Sequence, residues 1–349
     1  MRDSIFYAAI RSLFVALCAV IGVGLGLVLF TILIGAMSAS TASDTKLKTV
    51  NAQEILPNAK GEREALASTT PVILQIDVDG IIGTSELSTQ TVRQQLIESR
   101  EDDFKDDRVK GVLVYINTPG GTVIDADGIY HALKDYKEKY KVPVYAYVDG
   151  LCASGGMYVA CAADKVFATD VSLIGSVGVV APTFMNFTKV MDKIGVDTLT
   201  LTAGTDKDAM NPFRPWKPGE EKNYQHLIDY YYSHFVNIVT NNRPEISKDK
   251  LIQEYGAHIF NAVQAHQYGF IDKGDATLRD ALVELVKAAN IEDDNYQVIR
   301  LKKSDWWTTI FSSSNTLFTG KVKHQFELLP EMDAALHNKF LYLYSPSIQ

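Results

Sequence analysis

The run Leu151-Cys152-Ala153-Ser154-Gly155-Gly156-Met157-Tyr158-Val159-Ala160 decides how this chain is read. Ahead of it, Val142 to Val148 has the apolar pattern of a buried strand, and Asp149-Gly150 is a turn signal. Behind it, small and apolar residues from Gly155 to Ala163 read as a buried helix. A serine at such a strand-to-helix turn stands clear at the helix N-terminus. The unsatisfied N–H groups beside it carry the positive end of the helix dipole. That is the arrangement of an exposed nucleophile beside half an oxyanion hole. A helix N-cap serine followed by a glycine turn gives the same local sequence. The stretch by itself leaves both readings open.

The flanking chain sets the fold class. Val72 to Val78 and Val109 to Ile116 read as strands, the second almost wholly apolar, as in a parallel sheet covered on both faces. Helices are expected over Thr89 to Phe104, with Val92, Leu96 and Ile97 on one face, and over Asp125 to Lys139, with Ile129, Leu133 and Tyr136 in helical register. Lys165 to Ala168 is a short strand. This repeated strand–helix order predicts an α/β fold of β-α units around a mostly parallel sheet with right-handed crossovers. Val171 to Val180 is small, apolar and glycine-punctuated. A helix over Asn186–Ile194, a strand over Asp197–Thr202 and a long amphipathic helix from Pro218 to Asn241 follow. Asn261 to Tyr268 reads as a short helix ended by Gly269, Phe270 to Asp272 as an edge strand or turn, and Thr277 to Ala289 as a helix. Trp306 and Trp307 are expected in a packed tail, and Phe340 to Tyr344 in a terminal strand.

The N-terminal end has a different character. Leu13 to Met37 is a 25-residue apolar run without a charge. At about 1.5 Å per residue it exceeds the ~30 Å of a bilayer's hydrocarbon. A cleaved secretory signal is the rival reading, since small residues from Ser38 to Ser43 offer cleavage sites, but its apolar core is only ~7–15 residues long. An uncleaved transmembrane anchor is therefore expected within residues 1–37, a polar tether over 38–70, and one catalytic domain over 71–349. Arg2 and Arg11 on one side nearly balance Lys46 and Lys48 on the other, and Arg11 tips the N-terminus inward.

Composition narrows the chemistry. A formal net charge of −8 and 42 acidic against 34 basic residues argue against nucleic acid as the main partner. Cys18, Cys152 and Cys161 provide neither a disulfide framework nor zinc-ligand spacing. No Walker loop and no HExxH motif is found, so no metal or nucleotide cofactor is implied. A serine nucleophile needs a base. Most of the seven histidines have no acid placed to orient them, although folding can still bring a His–Asp pair together. Lysine is the other candidate. It acts only when neutral, and a free lysine titrates near 10.4, so it needs burial among small apolar residues. Lys207 follows a strand and a glycine and precedes Met210-Asn211-Pro212-Phe213. Asp206 and Asp208 would hold its charge if they pointed at it.

Four ordered blocks then carry a resemblance. Asn117-Thr118-Pro119-Gly120-Gly121, Ala153-Ser154-Gly155-Gly156, Ile174-Gly175-Ser176-Val177-Gly178-Val179 and Thr202-Ala203-Gly204-Thr205-Asp206-Lys207-Asp208 stand at suitable spacing. In them the chain resembles the protease-IV-type signal peptide peptidases and their SohB-type relatives, membrane-bound serine peptidases of the Clp/crotonase superfamily. The resemblance covers Val112 to Pro182, continues through Lys207 to about Arg243, and resumes over Ala262 to Asp272. It implies Ser154 as nucleophile, Lys207 as general base, Ser176 as the hydroxyl that orients the lysine, and Gly121 and Gly155 as oxyanion-hole donors. Gly120 lets the backbone approach. Thr118 replaces the usual serine and Met157 a common aromatic, which puts substrate preference in question more than catalysis.

The same resemblance implies acyl transfer to Ser154 followed by hydrolysis. As a single-repeat chain it is expected to form a homo-oligomeric ring in which serine and lysine come from neighbouring subunits. The expected substrates are hydrophobic extended peptides such as signal-peptide remnants, bound along Leu173 to Val180 by strand addition. The expected site is a bacterial cytoplasmic membrane, entered by one span, with the catalytic domain on the outer side. A crotonase-like acyl-CoA enzyme and a non-catalytic membrane scaffold on a peptidase fold are the rival readings; the anchor and the serine–lysine pair weigh against them.

Overall fold

The computed structural model describes residues 5–40, 51–292, 295–303 and 339–344. The chain divides into two units, Met1–Thr49 and Val50–Gln349. The first unit holds one helix, α1 (Ile5–Ser40), and its stretch Arg11–Phe30 is long and apolar enough to cross a membrane. Leu13, Phe14, Val20, Leu29 and Phe30 all expose their side chains.

The second unit is an α/β body. Its strands in chain order are β1 (Asn51–Leu56), β2 (Val72–Asp79), β3 (Val109–Thr118), β4 (Gly120–Thr122), β5 (Val144–Ala153), β6 (Lys165–Ala168), β7 (Leu173–Gly175), β8 (Ile259–Asn261), β9 (Gln297–Lys303) and β10 (Leu341–Leu343). Its helices are α2 (Thr89–Glu98), α3 (Val123–Tyr140), α4 (Gly155–Ala160), α5 (Thr188–Ile194), α6 (Lys222–Asn242), α7 (Lys248–Lys250), α8 (Ala262–Gln267) and α9 (Leu278–Ala288). The main sheet runs β1-β9-β2-β3-β5-β7-β8, with β6 also on β5, and β10 pairs separately with β4. The central pairs are parallel, and only the outer pairs β1–β9 and β7–β8 are antiparallel.

Strand alternation explains the apolar runs. Val112, Val114 and Ile116 of β3 face one core with Leu133 of α3, Tyr158 of α4 and Phe235 of α6. Leu113 of β3 and Tyr145 and Tyr147 of β5 face a second core with Leu282 and Leu285 of α9. Both faces of the sheet are thus covered, which is why the strands lack a polar side. Strand β5 serves two neighbours in succession: Tyr145–Val148 pairs with β6, and Leu151–Ala153 pairs with β7. The handover is at Gly150 (φ 117°), whose N–H donates to the Ser172 hydroxyl.

Several expectations change. Residues 51–70, expected in the tether, pack on the body: β1 lies on β9, and the Ala59 N–H donates to the Tyr296 hydroxyl (2.9 Å). The polar sequence of an edge strand gives no hint of a partner about 250 residues away. The helix expected over Thr89–Phe104 stops at Glu98, where Ser99 turns its hydroxyl back to the Leu96 carbonyl, and Ile97 is exposed. Asp197–Thr202 forms no strand, and Leu199 and Leu201 are 84% and 85% exposed. Among the described residues no strand pairs with them. Phe270–Asp272 contributes no strand; a single bridge joins Phe167 to Lys273. Trp306 and Trp307 lie outside the described residues.

Candidate active site

The site is built where β3, β5 and β7 end together. The Asn117 side chain stitches the first two ends: its Oδ1 accepts from Leu151 N–H (3.2 Å) while its Nδ2 donates to Asp79 (3.2 Å). Thr118 then shapes the turn. Its hydroxyl donates to the Gly80 carbonyl and accepts from the Gly120 N–H (3.0 Å). A Cβ on Gly156 would come within 2.6 Å of the Thr118 methyl, so the methyl that distinguishes Thr118 from serine packs on the nucleophile turn.

Gly120 and Gly121 are glycines for steric reasons. A Cβ on Gly121 would lie 1.9 Å from the Ile82 carbonyl oxygen, and one on Gly120 (φ 99°) would lie 2.7 Å from the Gly155 nitrogen. Ile82 clamps this loop by donating to Gly120 O and accepting from Thr122 N–H, both at 2.9 Å. Gly121 and Gly155 are thereby neighbours: a Cβ on Gly155 would be 3.3 Å from the Gly121 nitrogen.

Ser154 has φ 54° and ψ −113°, an elbow that a non-glycine residue adopts only when held there. Its N–H donates to the Gly175 carbonyl (2.8 Å), and its carbonyl accepts from Tyr158 N–H (3.0 Å). Its hydroxyl makes no capping bond to α4, so the N-cap reading of the serine does not apply. Ser154 is only 1% exposed. Ser176 (φ 56°) sits beside it, because the parallel pair Ala153–Gly175 places the two serines one residue past the same rung. Ser176 is held by the His258 carbonyl, which accepts its N–H (2.8 Å).

Nearby thiols do not compete as nucleophiles. Burial pushes Cys161 up to about 12 and Cys152 higher still, so neither is a thiolate at neutral pH. His131 and His234 both approach Asp127, at 3.5 and 3.4 Å, and no hydrogen bond joins either imidazole to Ser154 among the described residues. The histidine alternative finds its acid, but away from the serine.

Lys207 is exposed, on an irregular segment between α5 and α6, and the folded single chain brings it into no hydrogen bond or ion pair with Ser154. Its neighbour Asp208 is engaged elsewhere. Arg214 grips both Asp208 carboxylate oxygens, Nε to Oδ2 at 2.7 Å and a terminal nitrogen to Oδ1 at 3.1 Å, and also binds Glu220. The guanidinium holds both carboxyls below the usual carboxylate range.

Sequence reasoning missed what lies across the cleft. Strand β10 pairs antiparallel with β4, setting Leu341 opposite Thr122, Tyr342 opposite Gly121 and Leu343 opposite Gly120. Its other edge exchanges two hydrogen bonds, Val180 N–H to Leu341 O and Leu341 N–H to Val180 O, both 3.0 Å. Tyr342 is fully buried, stacked on Tyr158 (centroids 5.2 Å apart) and against Phe235 (4.6 Å), with its hydroxyl donating to Tyr231 O (2.9 Å). The alternating Phe340–Tyr344 pattern signalled a strand, but nothing in it named β4 as partner.

Comparison with known proteins agrees with this architecture. The peptidase family S49 model matches residues 136–292, and the Clp protease model matches residues 74–174. A chain of Enterococcus faecium named for signal peptide peptidase SppA is 30% identical over 309 residues, covering 84% of this chain and 86% of that one. A Methanocaldococcus jannaschii protein named as a protease is 35% identical over 193 residues, covering 55% of this chain and 60% of that one. A Haemophilus influenzae protein named as the protease SohB is 29% identical over 234 residues, covering 66% and 61%. The chain thus spans about three fifths of the length of the last two relatives. With a Clp-like α/β body and near-full-length similarity to an SppA-named relative, this chain belongs to peptidase family S49, the SppA- and SohB-type serine peptidases.

Proposed function

We propose that the chain is a membrane-anchored serine endopeptidase with a Ser–Lys dyad, Ser154 as nucleophile and Lys207 as general base. Ser176 orients the lysine amine, and the Gly121 and Gly155 N–H groups form the oxyanion hole beside Gly120. The observation that carries this reading is the Ser154 elbow. A serine held at positive φ, free of any capping role, sits at a strand end beside Gly155 and the tightly packed Gly121.

In this reading the Ser154 oxygen attacks a peptide carbonyl while the neutral amine takes its proton. The oxyanion is met by the two glycine N–H groups, and the amine returns the proton to the leaving nitrogen. Water then resolves the acyl-enzyme by the same route.

The lysine comes from a neighbouring subunit of a homo-oligomeric ring. Two features support this. Lys207 lies exposed in the isolated chain, and the segment that carries it exposes Phe187, Val190, Ile194, Leu199, Leu201 and Phe213. Apolar side chains in such number on one segment favour a covering partner. Such a partner would also remove water from the amine, which a lysine base requires. The substrates are hydrophobic peptides in extended form, such as signal-peptide remnants, and the edges of Gly121–Thr122 and Val180, which pair with the short strand β10, suit strand addition. The helix α1 anchors the chain in a cytoplasmic membrane, with the body on the outer side.

The test is labelling of the purified full chain with a fluorophosphonate, beside Ser154→Ala and Lys207→Ala. The reading expects one label, on Ser154, absent from Ser154→Ala and strongly slowed in Lys207→Ala. A label that persists in Ser154→Ala would reject it.

A further inference from the structure

We propose that Thr118 is the positioning residue of the oxyanion hole. Its hydroxyl fixes the Gly120–Gly121 loop, and its methyl sets how far that loop stands from the nucleophile turn. The inference rests on the Ser154 reading above and adds a side chain that acts through the backbone of Gly120, Gly121 and Gly155.

The hydroxyl works by gripping a loop from inside. Thr118 ends β3, paired with Cys152 two residues before Ser154, and it is fully buried. A buried hydroxyl needs partners within the protein. This one has two, donating to the Gly80 carbonyl and accepting the Gly120 N–H (3.0 Å). Gly80 is tied in turn to β3, its N–H donating to Asn117 O (3.0 Å). Ile82 then takes the other side of Gly120, donating its N–H to Gly120 O (2.9 Å). Gly120 is thus held on both its N–H and its carbonyl. That carbonyl and the Gly121 N–H belong to one planar peptide and point opposite ways, so fixing the first aims the second.

The methyl works by filling a fixed space. It shares its Cβ with the hydroxyl, so it cannot turn away while the hydroxyl keeps both bonds. It points at the start of α4. A Cβ on Gly156 would lie 2.6 Å from this methyl carbon, while the next atoms, Thr118 O and Cys152 Sγ, would be at 3.4 and 3.9 Å. Gly156 is not among the glycines of positive φ, so its backbone would accept alanine. The Thr118 methyl is therefore what demands glycine at 156. One methyl fits between the end of β3 and the first turn of α4, and Thr118 supplies it. In a close-packed interior a second methyl must push the two segments apart. Those segments carry Gly121 and Gly155, whose backbones are in contact, so the push opens the oxyanion hole itself.

The test is a set of four variants of the purified full chain in detergent: Thr118→Val, Thr118→Ser, Gly156→Ala, and Thr118→Ser with Gly156→Ala. Each is measured by hydrolysis of a fluorogenic apolar peptide, by the rate of fluorophosphonate labelling, and by melting temperature. Thr118→Val keeps the shape and loses the hydroxyl; kcat and labelling rate should fall about 10²-fold, with KM within about 3-fold of wild type. Gly156→Ala should lose about 10²-fold in both rates, the cost of a displacement near 1 Å. Thr118→Ser keeps the hydroxyl and should lose only about 5-fold, the hole being loosened and not broken. The double variant moves the methyl from 118 to 156, and it should recover at least about 10-fold over Gly156→Ala. A role in folding only would lower melting temperature without this rescue of kcat.

A double variant as slow as Gly156→Ala would overturn the inference, as would Gly156→Ala at wild-type rates. Thr118→Val with raised KM and unchanged kcat would overturn the part played by the hydroxyl. If Gly156→Ala does not fold, a double variant that folds and is labelled carries the same support, and one that does not fold overturns it. In each of these cases a labelled, active wild type leaves the peptidase reading standing. A wild type that neither takes the label nor cleaves the peptide would remove that reading, and this inference with it.

Discussion

Ser154 and Ser176 stand one residue beyond the paired Ala153 and Gly175 of two parallel strands, and both have a positive φ, 54° and 56°. Two non-glycine residues in that region side by side is strain concentrated at one place. It is maintained by backbone bonds from Ser154 N–H to Gly175 O and from Ser176 N–H to His258 O. The two hydroxyls are thereby brought to one end of the sheet without help from their own side-chain contacts.

Because the Ser154 hydroxyl caps nothing, its loss should spare the fold. Ser154→Ala is expected to melt within about 3 °C of wild type while kcat/KM for a peptide substrate falls at least ~10³-fold. Differential scanning calorimetry and a fluorogenic peptide assay measure the two. A large drop in melting temperature would mean that the serine is structural.

The glycines should separate into two kinds. Gly121→Ala places a methyl 1.9 Å from the Ile82 carbonyl oxygen, a backbone atom that cannot step aside. Both stability and activity should drop. Gly155→Ala meets nothing closer than 3.1 Å, and the nearest atom is the Tyr342 carbonyl oxygen. Its melting temperature should stay near wild type while kcat falls about 10²-fold, because the added methyl crowds the place of the oxyanion although the Gly155 N–H is kept. Equal effects of both substitutions on stability would contradict this.

On the proposed dyad, Arg214 acts as a positioning residue for Lys207, since it commits the adjacent Asp208 carboxylate to itself. In Arg214→Gln a freed carboxylate beside the lysine favours the charged amine. The acidic limb of the kcat/KM profile should move to higher pH, with plateau activity changed by less than about 10-fold. A merely structural role would lower the plateau and leave the limb where it was.

The same ion cluster sets an acid limit. Asp208 and Glu220 are held below the ordinary carboxylate range by Arg214. Their contribution is present in full above the ordinary carboxylate pKa and is lost as pH falls through the lowered values. Trp216, whose indole donates to Asn211 O (2.9 Å) within this segment, should report the release as a fluorescence change on acidification. The measurement uses a Trp306→Phe, Trp307→Phe background. Arg214→Gln should shift that transition to higher pH.

If the dyad is shared between subunits, two dead variants should rescue each other. Ser154→Ala mixed with Lys207→Ala, after dissociation and reassembly, should regain about one active site in four by random assortment. A Leu199→Asp, Leu201→Asp double variant should run as a smaller species in light scattering and lose activity. Failure of the mixture to recover, with assembly intact, would place both groups in one subunit.

Much of the body was legible because its signals are local. The apolar runs of β2, β3 and β5, the helical spacing in α3, and the glycine at φ 87° after α8 follow from period and backbone sterics. The four motif blocks located the serine turn and the glycine loop. Asp197–Thr202 has the alternation of a strand, yet among the described residues no strand pairs with it, and alternation without a partner makes no ladder. The tether was drawn too long because β1 is polar and its partner β9 is far along the chain.

The sequence alone determined a covered parallel sheet, an apolar N-terminal helix, and a serine and glycines at a strand-to-helix turn. These depend on neighbours in sequence, through side-chain period and allowed φ. Only the tertiary structure decided that the two serines share a rung, that Arg214 takes Asp208 away from Lys207, and that β10 returns to lie against Gly121. Those are pairings between segments tens to hundreds of residues apart, set by strand register and shape, and no local pattern encodes them.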